Sequence, residues 1–273
     1  MATLVCFHAH PDDEAIATGG TMRMAADAGH RVVLVVATRG ERGEIMPGVL
    51  EDGEQLALRR TAEVHRAAVE LGVARVEFLG YVDSGMMGEP TNDEAWTFWQ
   101  ADVESAARRL AAILEEEAAD ALTIYDDNGG YGHPDHIQVH RVGVRAAEIA
   151  GVERVLENSI NRTALKRMSA ARAGGEVGFE LPEGVELPDL DEATFGVEED
   201  VLTHVADVTS VASAKRAALL HHRSQVADDH FFLAIPEEMF GAAFGQEWYI
   251  GHGPVDDEGS PLRGIVAPFA PVG

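Results

Sequence analysis

The feature that most constrains this chain is an alternation of two hydrophobic periods over its first 160 residues. Short β-branched runs, such as Arg31-Val32-Val33-Leu34-Val35-Val36-Ala37-Thr38, alternate with longer stretches of helix formers. A run that is apolar at successive positions is apolar on both faces, as a strand inside a covered parallel sheet must be. The pattern predicts strands at 3–8, 31–38, 76–79, 121–125 and 152–159, and helices at 14–29, 54–71, 93–117 and 134–150, with a further helix at 210–224. Gly29 and Gly72 stand where helices stop, and Pro134 stands where one can start. Strand, helix, strand in this order gives an α/β fold, Rossmann-like, with a mostly parallel sheet and helices on both faces. The length of 273 residues fits one domain spanning 1–273. The stretch 170–200, rich in Gly, Pro, Asp and Glu, reads as a loop-rich insertion.

Charge narrows the function. With 21 Lys and Arg against 47 Asp and Glu, the formal net charge is -26. Such a surface repels phosphate backbones and anionic lipid, so no nucleic-acid or membrane partner is expected. No run of apolar residues is long enough for a membrane span, and no secretory signal is visible. The single cysteine, Cys6, lies in an apolar run and reads as a buried small hydrophobe; the absence of a disulfide framework fits a reducing cytoplasm. Oligomeric state is not legible, and a homo-oligomer stays open.

Two segments carry chemistry. His8-Ala9-His10-Pro11-Asp12-Asp13-Glu14 follows the first strand, and Tyr131-Gly132-His133-Pro134-Asp135-His136 follows the fourth. In an open parallel sheet, ligands bind at the carboxyl ends of strands, so both segments stand where sites are built. His10 and Asp13, three apart, can face one point, and imidazole nitrogen with carboxylate oxygen suits zinc or another borderline divalent metal. Spacing supports a metal near His10 and Asp13 with one histidine of the second segment, His133 or His136. Three protein ligands plus water is the plan of a catalytic rather than a structural zinc site. Neither Gly19-Gly20 nor Gly129-Gly130 has dinucleotide-binding spacing, and Ser84 and Ser224 lack the context of a serine nucleophile.

His10-Pro11-Asp12-Asp13-Glu14 together with His133-Pro134-Asp135-His136 resembles the signature of the LmbE-like, or PIG-L, family of zinc-dependent de-N-acetylases. Further likeness lies in Thr38–Glu44, in Arg60-Thr61-Ala62-Glu63, in Asp83-Ser84-Gly85-Met86 and in His222-Arg223-Ser224-Gln225. The resemblance runs over about residues 3–250, weakest at 165–205, and is nearest to the branch that includes the mycothiol-pathway deacetylase and mycothiol-conjugate amidase.

The resemblance implies hydrolysis of an N-acetyl group on an N-acetylglucosamine-type sugar, a small-molecule substrate. It implies His10, Asp13 and His136 as ligands of one zinc per chain, with Fe2+ or another divalent metal as the alternative. Asp12 would be the general base. His133, as a protonated imidazole, would stabilise the oxyanion with help from the Tyr131 hydroxyl, and Asp135 would orient His133. Arg60 is a candidate for sugar or inositol hydroxyls, or else forms an ion pair with Glu63; Asp83 is a candidate for a sugar hydroxyl. His8 and His222 read as packed or supporting residues, and Trp96, Trp99 and Trp248 as packing aromatics. The alternatives in function are an amidase for a thiol conjugate, an antibiotic-glycoside deacylase, and a non-catalytic sugar binder on the same fold.

Overall fold

The apolar runs are strands because both of their faces are covered. In the computed structural model, which describes residues 1–174, 195–227, 231–252, 260 and 262–270, β1 (Thr3–His8) is buried along its whole length. It pairs in parallel with β2 (Arg31–Val36) on one side and β4 (Ala121–Tyr125) on the other. β3 (Arg75–Phe78) extends the parallel sheet beyond β2, and β5 (Val155–Ser159) extends it beyond β4. Strands alternate their side chains, so Leu4 and Cys6 of β1 enter one core while Val5 and Phe7 enter the other. The chain runs outward from β1 to β2 and β3, then returns to β4 and runs outward the other way. The crevice at the carboxyl ends of β1 and β4 is therefore the switch point of the sheet.

α1 (Asp13–Ala17), α2 (Gly19–Asp27) and α3 (Leu56–Glu70) follow the first two strands. α4 (Val103–Glu116) and α5 (Pro134–Ala150) bury Leu110, Leu114, Val139 and Val142 against Val5 and Phe7. α6 (Arg162–Ala173), α7 (Ala212–Leu219), α8 (Phe231–Ala234) and α9 (Glu237–Phe244) complete the helices among the described residues. No described helix is long and apolar enough to cross a membrane.

The structure departs from the sequence pattern in several places. The predicted helix at 14–29 is two helices, broken at Thr18. Just past the break, Gly20 packs so closely on Val208 that a Cβ would lie 2.3 Å from it. The helix predicted from 93 begins only at Val103, where the Asp102 carboxylate accepts the Ser105 N–H at 2.9 Å and caps the helix; short 3-10 turns precede it. The helix predicted to reach 224 ends at Leu219, and His222 and Ser224 lie in the turns beyond. The stretch read as an insertion begins as the end of α6, and residues 175–194 lie outside the described residues.

β6 (His204–Asp207), β7 (Gln246–His252) and β8 (Ala267–Pro268) were not predicted. They continue the sheet past β5 as antiparallel neighbours, giving the order β3-β2-β1-β4-β5-β7-β6-β8 among the described residues. A buried carboxylate fixes this extension to the first half of the chain. Glu247 of β7 accepts the N–H groups of Gly20 and Thr21, each at 2.8 Å, and meets Lys215 Nζ of α7 at 2.6 Å.

Candidate metal and active site

The turn after β1 carries His10, Asp12 and Asp13, and the turn after β4 leads into α5 with His133, Asp135 and His136. Because β1 and β4 are neighbours, the two turns meet. Asp13 Oδ2 lies 3.4 Å from His10 Nδ1 and 3.4 Å from His136 Nε2. Donor atoms about 2.1 Å from a tetrahedral centre stand about 3.4 Å apart, so each of these two separations matches that of a pair of ligands.

The hydrogen bonds of the two rings point the same way. His136 Nδ1 donates to the Gly129 carbonyl at 3.2 Å, while its buried Nε2 has no hydrogen-bond partner. His10 Nε2 faces Asp135 Oδ2 at 3.2 Å, which leaves Nδ1 as the nitrogen turned to Asp13. A carboxylate behind a ligating imidazole fixes its tautomer and raises its basicity. Against the burial that would raise it, His136 and His10 hold the Asp13 carboxyl well below the usual carboxylate range. His133 also lies in reach: nitrogens of His10, His133 and His136 fall within 4.8 Å of one another. His133 Nδ1, however, accepts the Asp135 N–H at 3.1 Å, which turns its Nε2–H toward the cleft.

These contacts change two expected roles. The Asp135 carboxylate does not orient His133; it serves His10 and is itself held by the Ser84 N–H at 2.9 Å and the Ser84 hydroxyl. Only its backbone N–H touches His133. His133 is not expected to be an imidazolium either: burial, then the neighbouring His10 and His136, pushes it down to about 2. With Nδ1 occupied by the Asp135 N–H, a neutral His133 ring has one N–H, on Nε2, to give.

Asp12 differs from Asp13 in direction and environment. Its backbone has φ 108°, a strained conformation for a residue with a side chain. The side chain turns to Arg60, with Oδ1 3.2 Å from Nη2. Burial pushes the Asp12 carboxyl up to about 6, with Arg60 opposing the shift and Asp13 adding to it. A carboxylate near pH 6 is basic enough to take a proton at neutral pH. Arg60 is buried, and it also donates to the carbonyls of Gly40 at 3.0 Å and Pro11 at 2.5 Å. It thus spans the turns after β1 and β2, and among the described residues its ion-pair partner is Asp12 and not Glu63.

The cleft over these groups holds about 330 Å³ and is lined by Asp12, Arg60, Asp83, Tyr131 and His133, with Met86 at one side. Tyr131 is 40% exposed at the rim. Asp83 is buried; its oxygens accept the Gly85 N–H at 2.8 Å and the Arg42 N–H at 3.2 Å, and Oδ1 is 3.6 Å from His10 Nε2. Gln225 also lines the cleft.

Support beneath the site comes from His8 and His222, read from the sequence as packed or supporting, and from partners that the sequence did not show. His8 is held between the Tyr125 hydroxyl and Thr18 Oγ1, each at 2.8 Å, and burial lowers it to about 4, so the ring is neutral. Glu14 Oε2 accepts the Asp12 N–H at 2.8 Å and Oε1 meets His222 Nε2 at 2.6 Å. Glu63 holds Ser224 through its N–H at 3.0 Å and its hydroxyl at 2.6 Å. Glu14, Glu63 and His222 stood in motifs already singled out; Tyr125 was visible only as the end of a strand.

Similarity to known proteins extends over most of the chain. The family model described as GlcNAc-PI de-N-acetylase, PIG-L, matches residues 5–147. A protein of Acidothermus cellulolyticus named 1D-myo-inositol 2-acetamido-2-deoxy-alpha-D-glucopyranoside deacetylase is 41% identical over 92% of this chain and 88% of its own. A protein of the same name from Thermomonospora curvata is 40% identical over 89% of this chain and 87% of its own. Among solved structures, the N,N'-diacetylchitobiose deacetylase of Pyrococcus horikoshii superposes with a TM-score of 0.61 at 20% identity, over 96% of this chain and 87% of its own, a likeness of fold.

Proposed function

Because the chain belongs to the PIG-L family of GlcNAc-PI de-N-acetylases, we propose that it is a metal-dependent hydrolase that removes the acetyl group of 1D-myo-inositol 2-acetamido-2-deoxy-α-D-glucopyranoside, the compound for which its relatives are named. The observation that carries the reading is the division of labour between two adjacent carboxylates. Asp13 turns onto two histidine nitrogens, and Asp12 turns away onto Arg60 and stays basic.

His10, Asp13 and His136 are the proposed ligands of one zinc ion. Bound there, a divalent metal would polarise the acetamide carbonyl and acidify water. Asp12 takes the proton of the attacking water, with Arg60 holding its carboxylate in place. His133 offers its Nε2–H to the developing oxyanion from a desolvated position, where such a donor counts for most. Tyr131 closes the rim beside it, and Asp83 and Arg60 face the part of the cleft proposed for sugar and inositol hydroxyls. The leaving amine takes a proton back from Asp12. We place the reaction in the cytoplasm and within one domain, since β7 and β6 join the same sheet as β1. Cys6 is buried and its thiol is pushed up to about 12, so it takes no part.

The test is metal analysis followed by detection of free amine from this compound, from free N-acetylglucosamine and from a bulky thiol conjugate, in parallel. The wild type should hold about one zinc per chain and release amine fastest from the inositol glycoside. Asp12→Ala should keep the metal and lose about 10²–10⁴-fold in turnover. Full activity in that variant would remove Asp12 from the mechanism. Fastest release from the thiol conjugate would change the substrate class.

A further inference from the structure

We propose that the buried pair Glu14–His222 is a positioning device for Asp12, so that a turn beyond the segment shared with the family model sets the aim of the base. The inference rests on Asp12 being that base. Asp12 and Ala118 are the non-glycine residues with positive φ among the described residues, and Asp12, at 108°, lies far from the ordinary left-handed minimum. Such a conformation costs about 1–3 kcal/mol and persists only where the surroundings over-determine it. Three contacts do so here. Arg60 Nη2 holds the Pro11 carbonyl and faces the Asp12 carboxylate. The Asp12 carbonyl accepts the N–H groups of Ala15 and Ile16, at 3.0 and 3.2 Å. The Asp12 N–H is taken by Glu14 Oε2 at 2.8 Å.

Glu14 can make that third contact only if its own carboxylate is fixed. It is fully buried, and its other oxygen meets His222 Nε2 at 2.6 Å, with His222 also fully buried. His222 lies 208 residues further along the chain, in the turn after α7. That turn is docked independently by Glu63, which holds Ser224 through two hydrogen bonds. Removing the His222 imidazole therefore frees Glu14 without releasing the turn. Neither Glu14 nor His222 lines the cleft, so the pair acts through Asp12 and not on substrate.

The test uses the metal-loaded protein, the inositol glycoside as substrate, and two variants of nearly opposite design. The amide nitrogen of His222→Gln falls near the position of Nε2 and can still donate to Glu14; that of His222→Asn falls short of it. His222→Asn should lose about 10–100-fold in kcat, as outer partners of a site commonly do. KM should change by less than about threefold and zinc content should stay the same. His222→Gln should recover most of the lost turnover. In the Asp12→Ala background, His222→Asn should add less than about a twofold further loss, because residues that act as a unit are not additive. Equal losses in the Asn and Gln variants, or losses that multiply in the double variant, would overturn the inference while leaving Asp12 as the base. Full turnover in Asp12→Ala alone would remove the base assignment and this inference with it.

Discussion

Tyr125 lies flat on the His136 imidazole, with ring centroids 4.3 Å apart and planes 11° from parallel. Its hydroxyl meets His8 Nδ1 at 2.8 Å and accepts the Ala9 N–H at 3.4 Å. One side chain at the end of β4 thus fixes the plane of a proposed ligand and the floor of the turn that carries the other two.

Replacement of Tyr125 should therefore act on the metal before it acts on substrate. Tyr125→Leu is expected to weaken zinc binding by about 10–100-fold, the usual range for an outer partner. Tyr125→Phe, which keeps the stacked ring, should lose less than about tenfold. Competition against a chelator of known affinity measures both. Equal affinity in all three proteins would show that the stacking has no bearing on the site.

Gly40 is the point at which the turn after β2 presses on Arg60. Its φ is +66°, and a Cβ built there would stand 2.2 Å from Arg60 Nη1. Gly40→Ala should push the guanidinium off Asp12 and cost on the order of 10² in turnover, the scale of a 1 Å misplacement. Zinc content and secondary structure should stay as they are. Unchanged turnover would mean that the aim of Arg60 is not needed.

The Lys215–Glu247 pair predicts an order of stabilities. Lys215→Met leaves Glu247 buried with the donors of Gly20 and Thr21 still in place, and should cost about 3 kcal/mol. Glu247→Leu strands both N–H groups and the ammonium together, and should cost more, about 5 kcal/mol. Urea unfolding compares the two; the reverse order would contradict this account.

Glu117 gives a prediction in pH. A hydrogen bond from Arg31, opposed by partial burial and reinforced by Arg75, lowers its carboxyl from 4.5 to about 2. A group whose pKa falls on folding stabilises the folded state above its unfolded value and loses that contribution as pH drops toward its folded value. The contribution should be complete above about pH 4.5 and vanish toward pH 2. Screening keeps it on the order of 1 kcal/mol. Glu117→Gln should lower stability by that amount at pH 7 and leave it unchanged near pH 2, as read from thermal unfolding across the range.

The sequence made the parallel half of this fold legible because β1, β2 and β4 are nearly continuous apolar runs and Gly29 and Gly72 mark helix ends, although β3 and β5 carry Glu77, Glu157, Asn158 and Ser159. It hid the antiparallel half because Gln246–His252 and His204–Asp207 mix polar and apolar residues and are half-covered. A long helix was expected from residue 93 because Trp96 to Gln100 do not themselves break a helix; the later start is set by the Asp102 cap, a local hydrogen bond. In the site, residue types and spacing led to the two turns after β1 and β4. They did not show that the Asp135 carboxylate serves His10, since the adjacent motif residue, His133, was the obvious partner. Nor could spacing reveal that His222 and Ser224 complete Glu14 and Glu63, because those contacts span 208 and 161 residues.

Those two long contacts bear on how the protein comes to life on the ribosome. Chains emerge from the amino end and fold as they lengthen. All three proposed ligands are synthesised by residue 136, yet the partners of Glu14 and Glu63 follow only at residues 222 and 224. Through that interval both carboxylates lack the partners they have in the finished fold. On the proposed assignment, the support of the base is completed by the docking of a turn and not by synthesis of the last ligand.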